Sequence, residues 1–125
     1  MTNENITLEV FRRLFSVYGR QHWWPAQSAF EMMIGAILTQ STSWTNAEKA
    51  ILNLSSAGAL NLDVLNSLST HDISRLIYSS GYHNTKAKRI KSLTSFLSHR
   101  FDSQIESMSA TETKTLREEL LSVHG

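Results

Sequence analysis

The sequence predicts an all-α protein. Apolar residues recur at three- and four-residue spacing in seven segments, no stretch shows the strict alternation of a half-buried strand, and the single proline, Pro25, lies outside all seven. Candidate capping pairs, a Ser or Thr with Glu three residues later, occur at Ser28/Glu31, Thr45/Glu48 and Ser109/Glu112.

The first helix is expected from about Thr7 to Tyr18, with Phe11, Leu14, Phe15 and Tyr18 on one face and Gly19 as its stop. After the connection HWWPAQ, the second carries Phe30, Met33, Ile34, Ile37 and Leu38. Ala29, Met32, Gly35 and Ala36 make its remaining faces apolar, so it is expected to be central and buried on most sides. The third begins near Trp44 or Thr45 and carries Ala47, Ile51 and Leu54; a short fourth covers Leu62 to Leu68. A fifth starts at Ser69 or Thr70, buries Ile73, Leu76 and Ile77, and ends at Gly81. The sixth, about Asn84 to Phe101, carries Ile90, Leu93, Leu97 and Phe101; the last starts near Ser109 and carries Leu116, Leu120 and Leu121.

With 125 residues and 41% hydrophobic composition, the chain fits a single helical domain over residues 1–125, with no linker, repeat or low-complexity segment. Cysteine is absent, which excludes disulfides, thiolate zinc sites and a cysteine-ligated iron–sulfur cluster in this chain. The five histidines (His22, His71, His83, His99, His124) show no i, i+4 pair, so no metal is assigned. Glu31 and Glu48 fit caps better than paired catalytic carboxylates. No signal-peptide pattern opens the chain, and its longest apolar run, Met32 to Leu38, is far short of a membrane span. The expectation is a soluble, intracellular protein without a membrane partner.

The net charge is only +1, yet His83 to Arg100 holds five basic residues and no acidic one. The remaining sequence has seven basic and eleven acidic residues. In SSGYHNTKAKRIKSL, residues 79–93, a glycine ends one helix and the next opens with Lys86, Lys88, Arg89 and Lys91. Cations at a helix N-terminus oppose the macrodipole, a conflict that disappears when an anion such as backbone phosphate binds there. A solvated helix tolerating its charges fits the same pattern.

Two other segments could carry chemistry. In ILTQSTSWTNAEKA, the polar run Thr39 to Ser43 either satisfies the last carbonyls of a buried helix or presents Gln40 beside Trp44. In HWWP, neighbouring indoles cannot share one face and Pro25 excludes a helix through them. One ring is expected to pack inward while the other faces a cavity or solvent.

These three segments, in this order, resemble the helix-hairpin-helix (endonuclease III-like, HhH-GPD) DNA glycosylases. FEMMIGAILTQST resembles the family's helix ending in glutamine, and SSGYHNTKAKRIKSL its glycine-Leu/Tyr-Asn-x-Lys-Ala-x-x-Ile segment. LREELLSVHG resembles the first helix and opening turn of the hairpin, which starts at about residue 116 and is incomplete at Gly125. HWWP with AILTQSTSW resembles the cysteine-free 3-methyladenine glycosylase branch of bacteria.

The resemblance implies a monomeric, cytoplasmic base-excision repair protein on double-stranded DNA, without a cofactor, that stacks a flipped alkylated purine between aromatic faces. By that implication Trp23 and Trp44 form the two faces, while Trp24 and Pro25 shape the pocket. Gln40 fills the gap left by the flipped base and Tyr82 wedges into the opposite strand. Asn84, Lys86, Lys88, Arg89 and Lys91 lie along the DNA backbone. The family's catalytic aspartate, and the lysine of its lyase and carbamylated-lysine members, lie beyond the point matching Gly125. The expectation is therefore that this polypeptide alone is inactive, resembling the N-terminal part of a glycosylase. The alternative is a non-catalytic helical module that binds DNA or a protein.

Overall fold

A computed structural model describes residues 3–125. Its α-helices are α1 (Asn3–Tyr18), α2 (Ala29–Leu38), α3 (Trp44–Ser56), α4 (Leu62–Ser67), α5 (Thr70–Leu76), α6 (His83–Phe101) and α7 (Thr113–Leu121). Two 3-10 turns, Tyr78–Ser80 and Ile105–Ala110, precede α6 and α7, and no strand occurs among the described residues.

The core lies between α2, α3, α4, α5 and α6. Ile34, Leu38, Leu54, Leu65, Ile73, Ile77, Ile90 and Leu97 are all sealed from solvent. Each such side chain contributes about 1.5–3 kcal/mol of transfer free energy on burial. The central helix is α6, against which α2, α4 and α5 all pack. It buries Lys86, Ala87, Ile90, Leu93, Thr94, Leu97 and Phe101, one continuous stripe at helical spacing. The central role expected for α2 is thus corrected: Met32 and Ala36 face solvent, and only Phe30, Ile34, Gly35 and Leu38 are buried.

Caps set the starts of four helices. Ser28 Oγ accepts from Glu31 N at 3.1 Å, and the Glu31 carboxylate accepts from Gln27 N at 2.6 Å, one residue before the reciprocal bond of an ordinary capping box. The cap of α3 is Ser43, accepting from Asn46 N, rather than the expected Thr45/Glu48 pair. Asn61 caps α4 and Ser69 caps α5.

Three further expectations change. The first helix starts at Asn3, not Thr7, and buries none of its residues, so the face of Phe11, Leu14, Phe15 and Tyr18 is exposed. The fifth helix ends at Leu76, and a separate 3-10 turn carries the chain to Gly81. Ser109 donates its hydroxyl to Glu106 O within the second 3-10 turn, so α7 begins only at Thr113 without a side-chain cap. An ion pair, Arg100 Nε to Glu119 Oε2 at 2.9 Å, joins α6 to α7, whose Leu116 and Leu120 are half-buried and whose Leu121 is exposed.

Candidate functional site

The HWWP connection leads into α2, and Ser43 starts α3 just after α2 ends. That geometry brings Trp23, Trp24 and Trp44 together. Trp24 is half-buried and lies over α2, where a Cβ on Gly35 would stand 3.5 Å from its ring, an ordinary contact. Trp23 is 75% exposed and Trp44 37% exposed. The two neighbours therefore divide between inside and outside as the proline requires.

The indoles meet edge to face. Ring centroids are 5.1 Å apart for Trp23 and Trp24, and 6.0 Å for Trp24 and Trp44. Such pairs add about 0.5–1.5 kcal/mol each beyond burial and hold the rings in place. Trp23, Trp24, Pro25, Thr39 and Trp44 line an open pocket of about 360 Å³, within the range of small-molecule sites. Thr39 escaped the reading of the sequence because it sits in a polar run at a helix end, where capping explains it. Its hydroxyl does donate to Ala36 O at 3.1 Å. No carboxylate, imidazole or amine lines this pocket among the described residues.

Next to the pocket, the turn after α2 carries Gln40, whose amide oxygen accepts from Arg89 Nη1. Ser41 follows with φ +54°, a left-handed conformation uncommon for a residue with a side chain. A second turn leads into α6. Gly81 adopts φ +69° and ψ 162°, a region open essentially to glycine alone, and Tyr82 follows at φ +45°. Two consecutive residues of positive φ make this turn, and the Tyr82 side chain on it is 71% exposed. Tyr82 provides no side-chain cap for α6. Beneath this turn Ser74 Oγ lies 2.5 Å from His83 Nδ1 and 2.7 Å from Asn84 Oδ1, and the His83 ring packs on Tyr78.

The basic residues of α6 do not form one phosphate-facing set. Lys88 is exposed, Arg89 half-buried and engaged by Gln40, and Lys91 donates to Asn66 O of α4. Lys86 is 1% exposed and donates to Leu38 O at 2.9 Å and Ser80 O at 2.6 Å. A side chain so enclosed does not reach a DNA backbone, and its place among the backbone contacts is withdrawn. Burial first, and the neighbouring Arg89 charge second, hold its pKa below the usual lysine value.

Residues 34–122, from the middle of α2 to the end of α7, match the HhH-GPD superfamily of base excision DNA repair proteins. The chain belongs to this superfamily. It is similar to a Methanocaldococcus jannaschii protein named as a DNA repair glycosylase, with 40% identity over 119 residues, covering 94% of this chain and 54% of that protein. Its fold is similar to the crystal structure of H. pylori 3-methyladenine DNA glycosylase bound to 1,N6-ethenoadenine, with a TM-score of 0.69 and 25% identity. That match covers 91% of this chain and 56% of the other. This HhH-GPD chain thus spans little more than half the length of the relatives it matches. No described helix is long and apolar enough to cross a membrane.

Proposed function

We propose that this HhH-GPD chain recognises a flipped, alkylated purine of the 3-methyladenine type in double-stranded DNA, as one copy on one duplex and without a cofactor. The observation that carries the reading is the pocket of about 360 Å³ walled by three indoles beside the Gln40 turn. An alkylated purine is cationic or electron-poor. Aromatic faces attract such a ring by stacking and by cation–π interaction, about 0.5 to 2 kcal/mol per ring depending on desolvation. Extruding the base requires something to occupy its place in the stack. Gln40 and the exposed Tyr82, on adjoining turns, suit that task, while Lys88 and Asn84 are exposed where α6 begins. The ethenoadenine held by the H. pylori glycosylase is a modified purine of the same general kind.

The work proposed for these residues is binding. A pocket lined by three indoles, a proline and a threonine offers nothing to activate water or to protonate a leaving base, so hydrolysis needs a group from outside this lining. The chain assayed by itself on methylated duplex DNA is expected to release no base. With duplex DNA as the proposed ligand, the proposed place of action is the bacterial cytoplasm, at the nucleoid.

The test is a titration of the chain with one duplex carrying a single 1,N6-ethenoadenine and with the same duplex undamaged, each at two salt concentrations. The reading predicts tighter binding to the modified duplex and affinity that falls with salt for both, since phosphate contacts release counterions. Equal, salt-dependent affinity would support a non-specific DNA-binding module instead. No binding to either duplex would refute the proposal.

A further inference from the structure

Among the described residues Lys86 is the largest fully buried side chain, and neither ion pair found there involves it. Its ammonium is met by two backbone carbonyls instead. Leu38 closes α2, so its carbonyl is one of the last-turn groups without an intrahelical partner, at the negative end of that helix. Ser80 closes the 3-10 turn before α6. Each carbonyl lies two residues before a side chain proposed to probe DNA: Leu38 before Gln40, and Ser80 before Tyr82.

Two more bonds span the same gap. Arg89, one turn along α6, donates to the Gln40 side chain, and Ser79 Oγ donates to Asn46 O at 3.1 Å, tying the 3-10 turn to the helix that begins with Trp44. A lysine ammonium has three donors on one tetrahedral centre, so it can hold two carbonyls at once across a span that a shorter or apolar side chain cannot bridge.

We infer that Lys86 is a positioning residue, an internal clamp that holds the Gln40 turn and the Tyr82 turn at a fixed separation so that both engage one duplex together. This rests on the DNA-recognition reading above. The tight separation matters because displacement of a probing group by about 1 Å can cost orders of magnitude in productive alignment.

The test has two arms. Because the chain lacks cysteine, spin labels can be attached specifically at Ser41→Cys and Tyr82→Cys, positions whose left-handed backbone already accommodates a side chain. The clamp predicts one narrow distance distribution, which broadens or shifts in a Lys86→Met background that retains helical circular dichroism. An unchanged distribution overturns it. In the second arm the unlabelled chain and Lys86→Met are titrated with a duplex carrying a tetrahydrofuran abasic site and with the intact duplex. Lys86→Met is expected to lower the preference for the abasic duplex by roughly tenfold while leaving the salt dependence unchanged. A loss of about one from the salt slope would instead make Lys86 a phosphate ligand and overturn the clamp.

If the unsubstituted chain binds neither duplex, the DNA-recognition reading fails, and with it the purpose assigned to the clamp, whatever the distances show. If Lys86→Met does not fold, nitrogen-15 spectra of the unsubstituted chain decide. Slowly exchanging Lys86 ammonium protons coupled to the Leu38 and Ser80 carbonyls support the clamp; exchange as fast as in free lysine refutes it.

Discussion

Helices α1 and α6 differ in what becomes of the apolar face each sequence offers. The first has a clear apolar face, Phe11, Leu14, Phe15 and Tyr18, and buries none of it. The sixth opens with four basic residues among its first nine positions and supplies the centre of the core. Amphipathic spacing states which face a helix would bury, not whether a partner is there to receive it. Charge, in turn, does not exclude burial when an ammonium reaches two carbonyls and its stem lies along apolar neighbours.

Truncations make the contrast largest. Leu97→Ala on α6 removes a fully buried side chain and is expected to cost about 2–5 kcal/mol of unfolding free energy. Phe11→Ala removes a larger side chain that is 59% exposed, and its expected cost is within about 0.5 kcal/mol. Chemical denaturation of both variants checks this, and comparable losses would mean that α1 is packed in solution.

The next effect is smaller and conformational. A Cβ on Gly81 would meet nothing within 4 Å, yet φ +69° with ψ 162° is closed to other residues. Gly81→Ala should therefore destabilise by about 1–3 kcal/mol through strain alone, measurable as a lowered Tm. An unchanged Tm would show that the turn relaxes without cost.

The smallest effect is in pH. Lys86 has a folded pKa below its usual 10.5, so between the folded and unfolded values the unfolded chain binds more protons. Its contribution to stability should rise with pH through that window. The Lys86→Met curve should lack that rise, so the stability difference between the unsubstituted chain and the variant should grow with pH through the window, and a parallel pair of curves would contradict the shift.

Much of the fold was readable because its signals are local. The stripe Ile90, Leu93, Leu97 and Phe101 located the buried face of α6, and Ser28 with Glu31 located the start of α2. The failures arise where partners are distant in sequence. Lys86 reads as a phosphate ligand until Leu38 O, 48 residues away, is known to lie beside it. The apolar residues of α2 suggested an enclosed helix, but the larger stripe on α6 took the centre. Ser109 and Glu112 had capping spacing, yet the local 3-10 turn took the serine hydroxyl first. At the candidate site, the proline rule separated Trp23 from Trp24, whereas the approach of Thr39 and Trp44 to them depends on how α2 and α3 turn.

The central claim is that the three-indole pocket receives a modified base. Its most direct test compares the affinity of the chain, Trp23→Ala and Trp44→Ala for a duplex carrying one 1,N6-ethenoadenine, with Tm measured on the same samples. Loss of one aromatic face is expected to weaken binding to the modified duplex by about tenfold, from stacking worth roughly 1–3 kcal/mol per base, while Tm moves little for Trp23→Ala, whose ring is 75% exposed, and falls further for Trp44→Ala, whose ring is 37% exposed. Unchanged preference for the modified duplex in both variants, with both still folded, would contradict the account.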